Sequence, residues 1–103
     1  MALHRLAQRD AVEPGYLKAF SVAGQSILLV CGESGPVATY NSCPHAGSPL
    51  HEGRITGNRL RCSRHGYIFD LKTGTCARGP REGFGGLTFL EITIVDGYLA
   101  VEL

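Results

Sequence analysis

Cys43-Pro44-His45-Ala46-Gly47 and Cys62-Ser63-Arg64-His65-Gly66 bound the stretch of this 103-residue chain whose reading decides the fold. Each end offers one thiolate and one imidazole, set among small, turn-forming residues. A soft sulfur beside a borderline nitrogen suits iron or zinc better than magnesium or calcium. Four such ligands suffice for one closed site. Zinc is the plain reading of two Cys and two His, but structural zinc sites usually pair Cys closely with Cys and His with His. Here the order alternates, Cys-x-His and then Cys-x-x-His. Alternation makes sense if both sulfurs go to one iron and both nitrogens to a second.

Between the two pairs, Arg54-Ile55-Thr56 and Arg59-Leu60-Arg61 flank Gly57-Asn58, and a glycine opening a two-residue loop suits a tight hairpin. That hairpin carries the chain out and back, returning Cys62 and His65 beside Cys43 and His45. Upstream, Leu17 to Val22 and Ser26 to Cys31 read as a hairpin around Ala23-Gly24-Gln25. Glu33-Ser34-Gly35-Pro36 is turn chemistry, and Val37-Ala38-Thr39-Tyr40 is a third strand feeding the first cysteine. Downstream, Tyr67 to Asp70 is a short strand and Leu71-Lys72-Thr73-Gly74 a turn. The run from Arg78 to Gly86 is too rich in Gly and Pro for regular structure. Thr88 to Val95 and Tyr98 to Leu103 bracket Asp96-Gly97, a strong hairpin signal. Alternation places Leu90, Ile92 and Ile94 on its buried face, with Glu91 and Thr93 opposite. No segment shows helical periodicity beyond one turn. The expectation is an all-β domain of short antiparallel strands, with the cysteine loops as a small subdomain at one end.

Composition bounds the function. A chain of 103 residues is one domain with a modest core, and ligand bonding to a metal would add to its folding free energy. No run of 18 or more apolar residues occurs, so no membrane-spanning segment is expected. The first ten residues lack the apolar core of a signal peptide, so a cytoplasmic location is expected. There, cysteines beside histidines point to metal rather than disulfides. A net charge of +1 does not argue for nucleic acid. The charge is unevenly spread, however. Residues 41–82 hold Arg54, Arg59, Arg61, Arg64, Lys72, Arg78 and Arg81 against Glu52, Asp70 and Glu82. Such a bias reads either as solvated strand faces or as a basic rim that steers an acidic partner. Cys31 reads as a small buried residue, Cys76 as a free thiol, and His4 and His51 as solvated side chains.

The motif pair resembles the Rieske centre, in which two His replace two Cys on one iron of a [2Fe–2S] cluster. The resemblance implies a Rieske-type antiparallel β-sandwich over residues 1–103, with a cluster-binding subdomain at about 41–82. It implies one [2Fe–2S] cluster held by Cys43, His45, Cys62 and His65, and a proline-bearing loop at Gly79-Pro80 covering it. High-potential members join their two loops by a disulfide, where this chain has Ser48 and Arg64. They also place Ser and Tyr hydroxyls where Tyr67 and Phe69 stand. Both departures imply a low potential. The chain is most similar to the ferredoxin component of bacterial aromatic-ring-hydroxylating dioxygenases, a soluble electron carrier expected to be monomeric. Such ferredoxins take electrons from a flavin-dependent, NADH-oxidising reductase and pass them to a terminal Rieske non-haem iron oxygenase. Beyond the two ligand histidines only His4 and His51 remain, so a catalytic mononuclear iron site is not expected here. The competing readings are a Rieske-type small subunit of another redox enzyme, such as nitrite reductase, and a structural zinc module.

Overall fold

The computed structural model describes residues 2–44, 47–63, 66–78 and 86–103. Its centre is β3 (Gln25–Gly32), the most apolar stretch of the chain, with Ile27, Leu28, Leu29 and Val30 all fully buried. A strand apolar without a break from Ile27 to Cys31 needs cover on both faces there, and β3 has it. It lies between β2 (Leu17–Val22) and β4 (Gly35–Tyr40), with β9 (Phe89–Leu90) beyond β4, in one antiparallel sheet. Ile27, Leu29 and Cys31 face one neighbouring layer; Leu28 and Val30 face another.

The first of those layers is a three-stranded sheet in which β11 (Tyr98–Glu102) lies between β1 (Leu3–Gln8) and β10 (Ile92–Val95). Leu99 and Val101 point from it into the core, against Leu29 and Cys31 and against Ile27 and Ala38. The second is a four-stranded meander of β5 (Arg54–Thr56), β6 (Arg59–Arg61), β7 (Ile68–Asp70) and β8 (Cys76–Arg78). Its inner face sends Leu60 and Phe69 against Leu28 and Val30. Asn58, in the β5–β6 turn, ties this sheet to the central one. Its Oδ1 accepts the Ser34 N–H at 3.2 Å and the Ser34 hydroxyl at 2.9 Å. At the β7 end, Asp70 Oδ1 accepts the N–H groups of Lys72 at 2.7 Å and Thr73 at 3.2 Å. These two bonds hold the Asp70 carboxyl below the usual carboxylate range. The protein is thus all-β, and among the described residues no helix is long and apolar enough to cross a membrane.

The strands depart from the sequence reading at several points, including β8, where no strand was expected. The N-terminal segment forms β1, which pairs antiparallel with β11 across almost the whole chain and breaks register between Arg5 and Ala7. Gly35 and Pro36 belong to β4, opposite Gly32 and Cys31, and only Glu33-Ser34 turns. A proline fits there because it stands near the start of the strand. The expected strand from Thr88 to Val95 is two: β9 pairs with β4 and β10 with β11, and Glu91 is where the chain changes sheets. Ile94 is 53% exposed rather than buried, at the edge of the three-stranded sheet. The expected loop at Gly79-Pro80 lies outside the described residues.

Candidate metal centre

Cys43 leaves the end of β4 through Asn41-Ser42, and Cys62 follows β6 directly. Over their described residues the two loops they open are closed in the same way. The Cys43 N–H donates to the Ser48 carbonyl, five residues on, at 2.8 Å; the Cys62 N–H donates to the Tyr67 carbonyl, also five residues on, at 2.8 Å. Four residues after each cysteine comes a glycine with positive φ, Gly47 at 70° and Gly66 at 65°. An L side chain rarely adopts that conformation, so each loop needs its glycine to close. Two equivalent loops thus begin on the two cysteines, with His45 two residues into the first and His65 three into the second.

Both sulfurs are withdrawn from solvent, Cys43 and Cys62 being 1% exposed. They belong to one buried cluster with Leu28, Val30, Leu50, Leu60, Phe69, Leu71 and Cys76. None of the four cysteines forms a disulfide. Two unbridged, buried thiols opening matched loops fit a shared metal unit, since thiolate suits iron–sulfur chemistry. His45 and His65 lie outside the described residues, as does Arg64. Tyr67 packs against the same buried cluster, and Phe69 is wholly inside it. Ser48, 5% exposed, is held at the closing bond of the first loop.

One feature here was not anticipated. Asn41 and His51 pin the two ends of the first loop together. Asn41 Oδ1 accepts the His51 N–H at 2.9 Å, and Asn41 Nδ2 meets His51 Nδ1 at 2.9 Å and donates to Ser26 Oγ at 3.1 Å. With the amide oriented this way, Nδ1 of His51 is the acceptor. His51 is exposed, as expected of a solvated histidine, and in addition braces the backbone of this loop. Cys76 follows the Thr73-Gly74-Thr75 turn into β8, is 2% exposed and sits in the cluster that holds Cys43 and Cys62. Cys31, by contrast, lies in the separate cluster with Leu29 and Leu99, where burial pushes its thiol pKa up.

Beside Cys62 a cleft of about 300 Å³ opens between Glu52, Gly53, Arg54, Arg61 and Ser63. A second, of about 280 Å³, is lined by Arg54, Thr56, Arg59, Arg61 and Ile68. Arg54 and Arg61 border both.

Layered short strands carrying two cysteine loops that share one buried cluster define a small all-β domain suited to iron–sulfur chemistry. The chain matches the Rieske [2Fe-2S] domain over residues 2–89. It belongs to that family, and its cofactor is one Rieske-type [2Fe–2S] cluster. Among curated relatives it is 39% identical over 61 residues to the oxidoreductase NdmD of Pseudomonas putida, covering 58% of this chain and 10% of that protein. It is 38% identical over 78 residues to cholesterol 7-desaturase of Caenorhabditis elegans, covering 73% of this chain and 18% of that one. The chain therefore spans less than a fifth of either relative. Its fold is that of a Sphingomonas yanoikuyae B1 ferredoxin (TM-score 0.84, 24% identity, 99% of both chains covered). It is equally that of the ferredoxin of carbazole 1,9a-dioxygenase from Nocardioides aromaticivorans IC177 (TM-score 0.82, 24% identity, 98% of this chain and 97% of that one).

Proposed function

We propose that this protein is a soluble, cytoplasmic, low-potential electron carrier, passing single electrons from an NADH-dependent flavin reductase to a terminal Rieske non-haem iron aromatic-ring dioxygenase. In this reading it is not itself an enzyme, and residues 1–103 act as one monomeric domain with a cluster-binding subdomain at about 41–82. The observation that carries it is the pair of equivalent loops opening on two buried, unbridged cysteines of one cluster. The fold supports it too, since nearly all of this chain superposes on nearly all of a ferredoxin.

Cys43 and Cys62 would hold one iron, His45 and His65 the other. The bound cluster supplies reversible one-electron chemistry. The residues set its terms. Two thiolates and two neutral imidazoles leave the oxidised assembly uncharged, where four thiolates would leave it doubly negative, so the ligand set raises the potential above plant-type ferredoxins. The buried surroundings of Cys43 and Cys62 keep water from the sulfurs. Imidazoles bound through one nitrogen keep the other for a partner.

Within the Rieske range the chain should sit low. Ser48 replaces one half of the bridging disulfide, and Phe69, wholly buried, brings no hydroxyl to the site. A redox titration is expected to place the midpoint near about −150 mV, and a value above about +100 mV would contradict this. The role itself is tested by anaerobic stopped-flow mixing. NADH with a flavin ferredoxin reductase should reduce the protein, and a terminal ring-hydroxylating oxygenase should reoxidise it. Exchange with an assimilatory nitrite reductase and with neither of those two would overturn the assignment.

A further inference from the structure

The β5–β6 hairpin presents one sign of charge on its outer face. In register, Arg54 stands opposite Arg61 and Thr56 opposite Arg59, while Ile55 and Leu60 form the intervening, inward pair. Arg54, Arg59 and Arg61 are all exposed, and together with Thr56 and Ile68 they line one continuous cleft. Like charges directly across a ladder destabilise the pair, so this arrangement acts against the fold's own stability. Among the described residues no ion pair engages any of the three; the pair found there joins Arg5 to Asp96 at the far sheet. The nearby acids stand at the edges of the face. Asp70, opposite Arg59 and bonded by the Lys72 and Thr73 N–H groups, attracts Arg59 from the β7 side. Glu33 stands at the hairpin turn beside Gly57, and Glu52 borders the neighbouring cleft, so Arg54 and Arg61 carry the least compensated charge.

The face is also tied to the second cysteine loop. The Arg61 guanidinium lies over Gly66, with Nη2 at 3.2 Å from where a β-carbon on that glycine would stand. Arg54 and Arg61 pass without a break into the cleft that Cys62 and Ser63 line. We propose that this arginine face is the docking surface for an acidic face of a protein electron partner, seating it beside the second cluster loop. The proposal rests on the carrier reading and deepens it by naming the surface and the charge of what meets it. Complementary charge there would speed encounter and fix orientation.

Calorimetric titration of the holoprotein with poly-L-glutamate, a stand-in for a carboxylate-rich protein face, tests it. Binding should weaken as salt rises. The triple variant Arg54→Gln/Arg59→Gln/Arg61→Gln should bind about tenfold more weakly, as the loss of three exposed charge contacts implies. The variant Arg9→Gln/Lys18→Gln, which removes exposed cations elsewhere, should bind as the parent does. The triple variant should melt no lower than the parent, because it relieves the Arg54–Arg61 opposition. Undiminished binding by the triple variant, an equal loss in the control, or a fall in melting temperature accompanying the loss would each overturn the proposal. Calorimetry reads docking whether or not a flavin reductase delivers electrons, so failure of this surface and failure of the carrier role are seen separately.

Discussion

Cys62→Ser, and equally Cys43→Ser, should purify without the red-brown colour of the parent and with iron reduced to near zero. A serine hydroxyl is harder than a thiolate and stays protonated at neutral pH, so it does not replace sulfur on iron. Stability should fall as well, since ligand bonding is part of the folding free energy of so small a domain. Both positions are 1% exposed inside the cluster that joins the central sheet to the meander, so an uncoordinated hydroxyl there also carries a burial cost. Cys31→Ser is the control. It is as buried but lies in the opposite cluster, so it should cost about 1–3 kcal/mol and keep full colour. Retention of iron and colour by Cys62→Ser would remove that residue from the site.

The second large effect is expected at Phe69. It is the largest fully buried side chain among the described residues, opposite Leu60 on β6 and Cys76 on β8. Its ring fills the space between the meander and Leu28 and Val30, in the cluster that also contains Cys43 and Cys62. Truncation to alanine should cost about 3–5 kcal/mol, a large share of the roughly 5–15 kcal/mol that holds a typical domain. In thermal scans of the holoprotein at a fixed rate, Phe69→Ala should melt at least about 12 °C below the parent. The variant should also bleach sooner, because the layer that backs both cysteines has lost its largest contact. A fall of only one or two degrees would mean that the cluster alone, and not this core, secures the meander.

The parts legible in the sequence were the local ones. The turns at Gly57-Asn58 and Asp96-Gly97 join strands close to those the apolar patterns mark, and the turn read as Ala23-Gly24-Gln25 is one residue shorter, with Gln25 opening β3. The parts not legible depend on distant partners. β1 carries Arg5 and a register break, and what makes it a strand is β11 at the opposite end of the chain. The apolar run through Leu90, Ile92 and Val95 gives no sign that Glu91 is where the chain leaves one sheet for another, because both sheets ask for the same residues. β8 is three residues long beside a Gly- and Pro-rich run, and its partner β7 defines it. For the site, the cysteine–histidine spacing was plain. Its backbone equivalence was also present in the letters, as a glycine four residues after each cysteine, but its meaning needed the φ angles and the matched N–H to carbonyl bonds. The Asn41–His51 brace left no such sign, since neither residue belongs to a motif.

The account rests on a diiron unit shared between those two loops. Iron and acid-labile sulfide, measured on freshly isolated holoprotein, should come to about two of each per chain. Dithionite reduction of the same sample should give a one-electron EPR signal. Protein that is folded but colourless, free of sulfide and loaded with one zinc would contradict it.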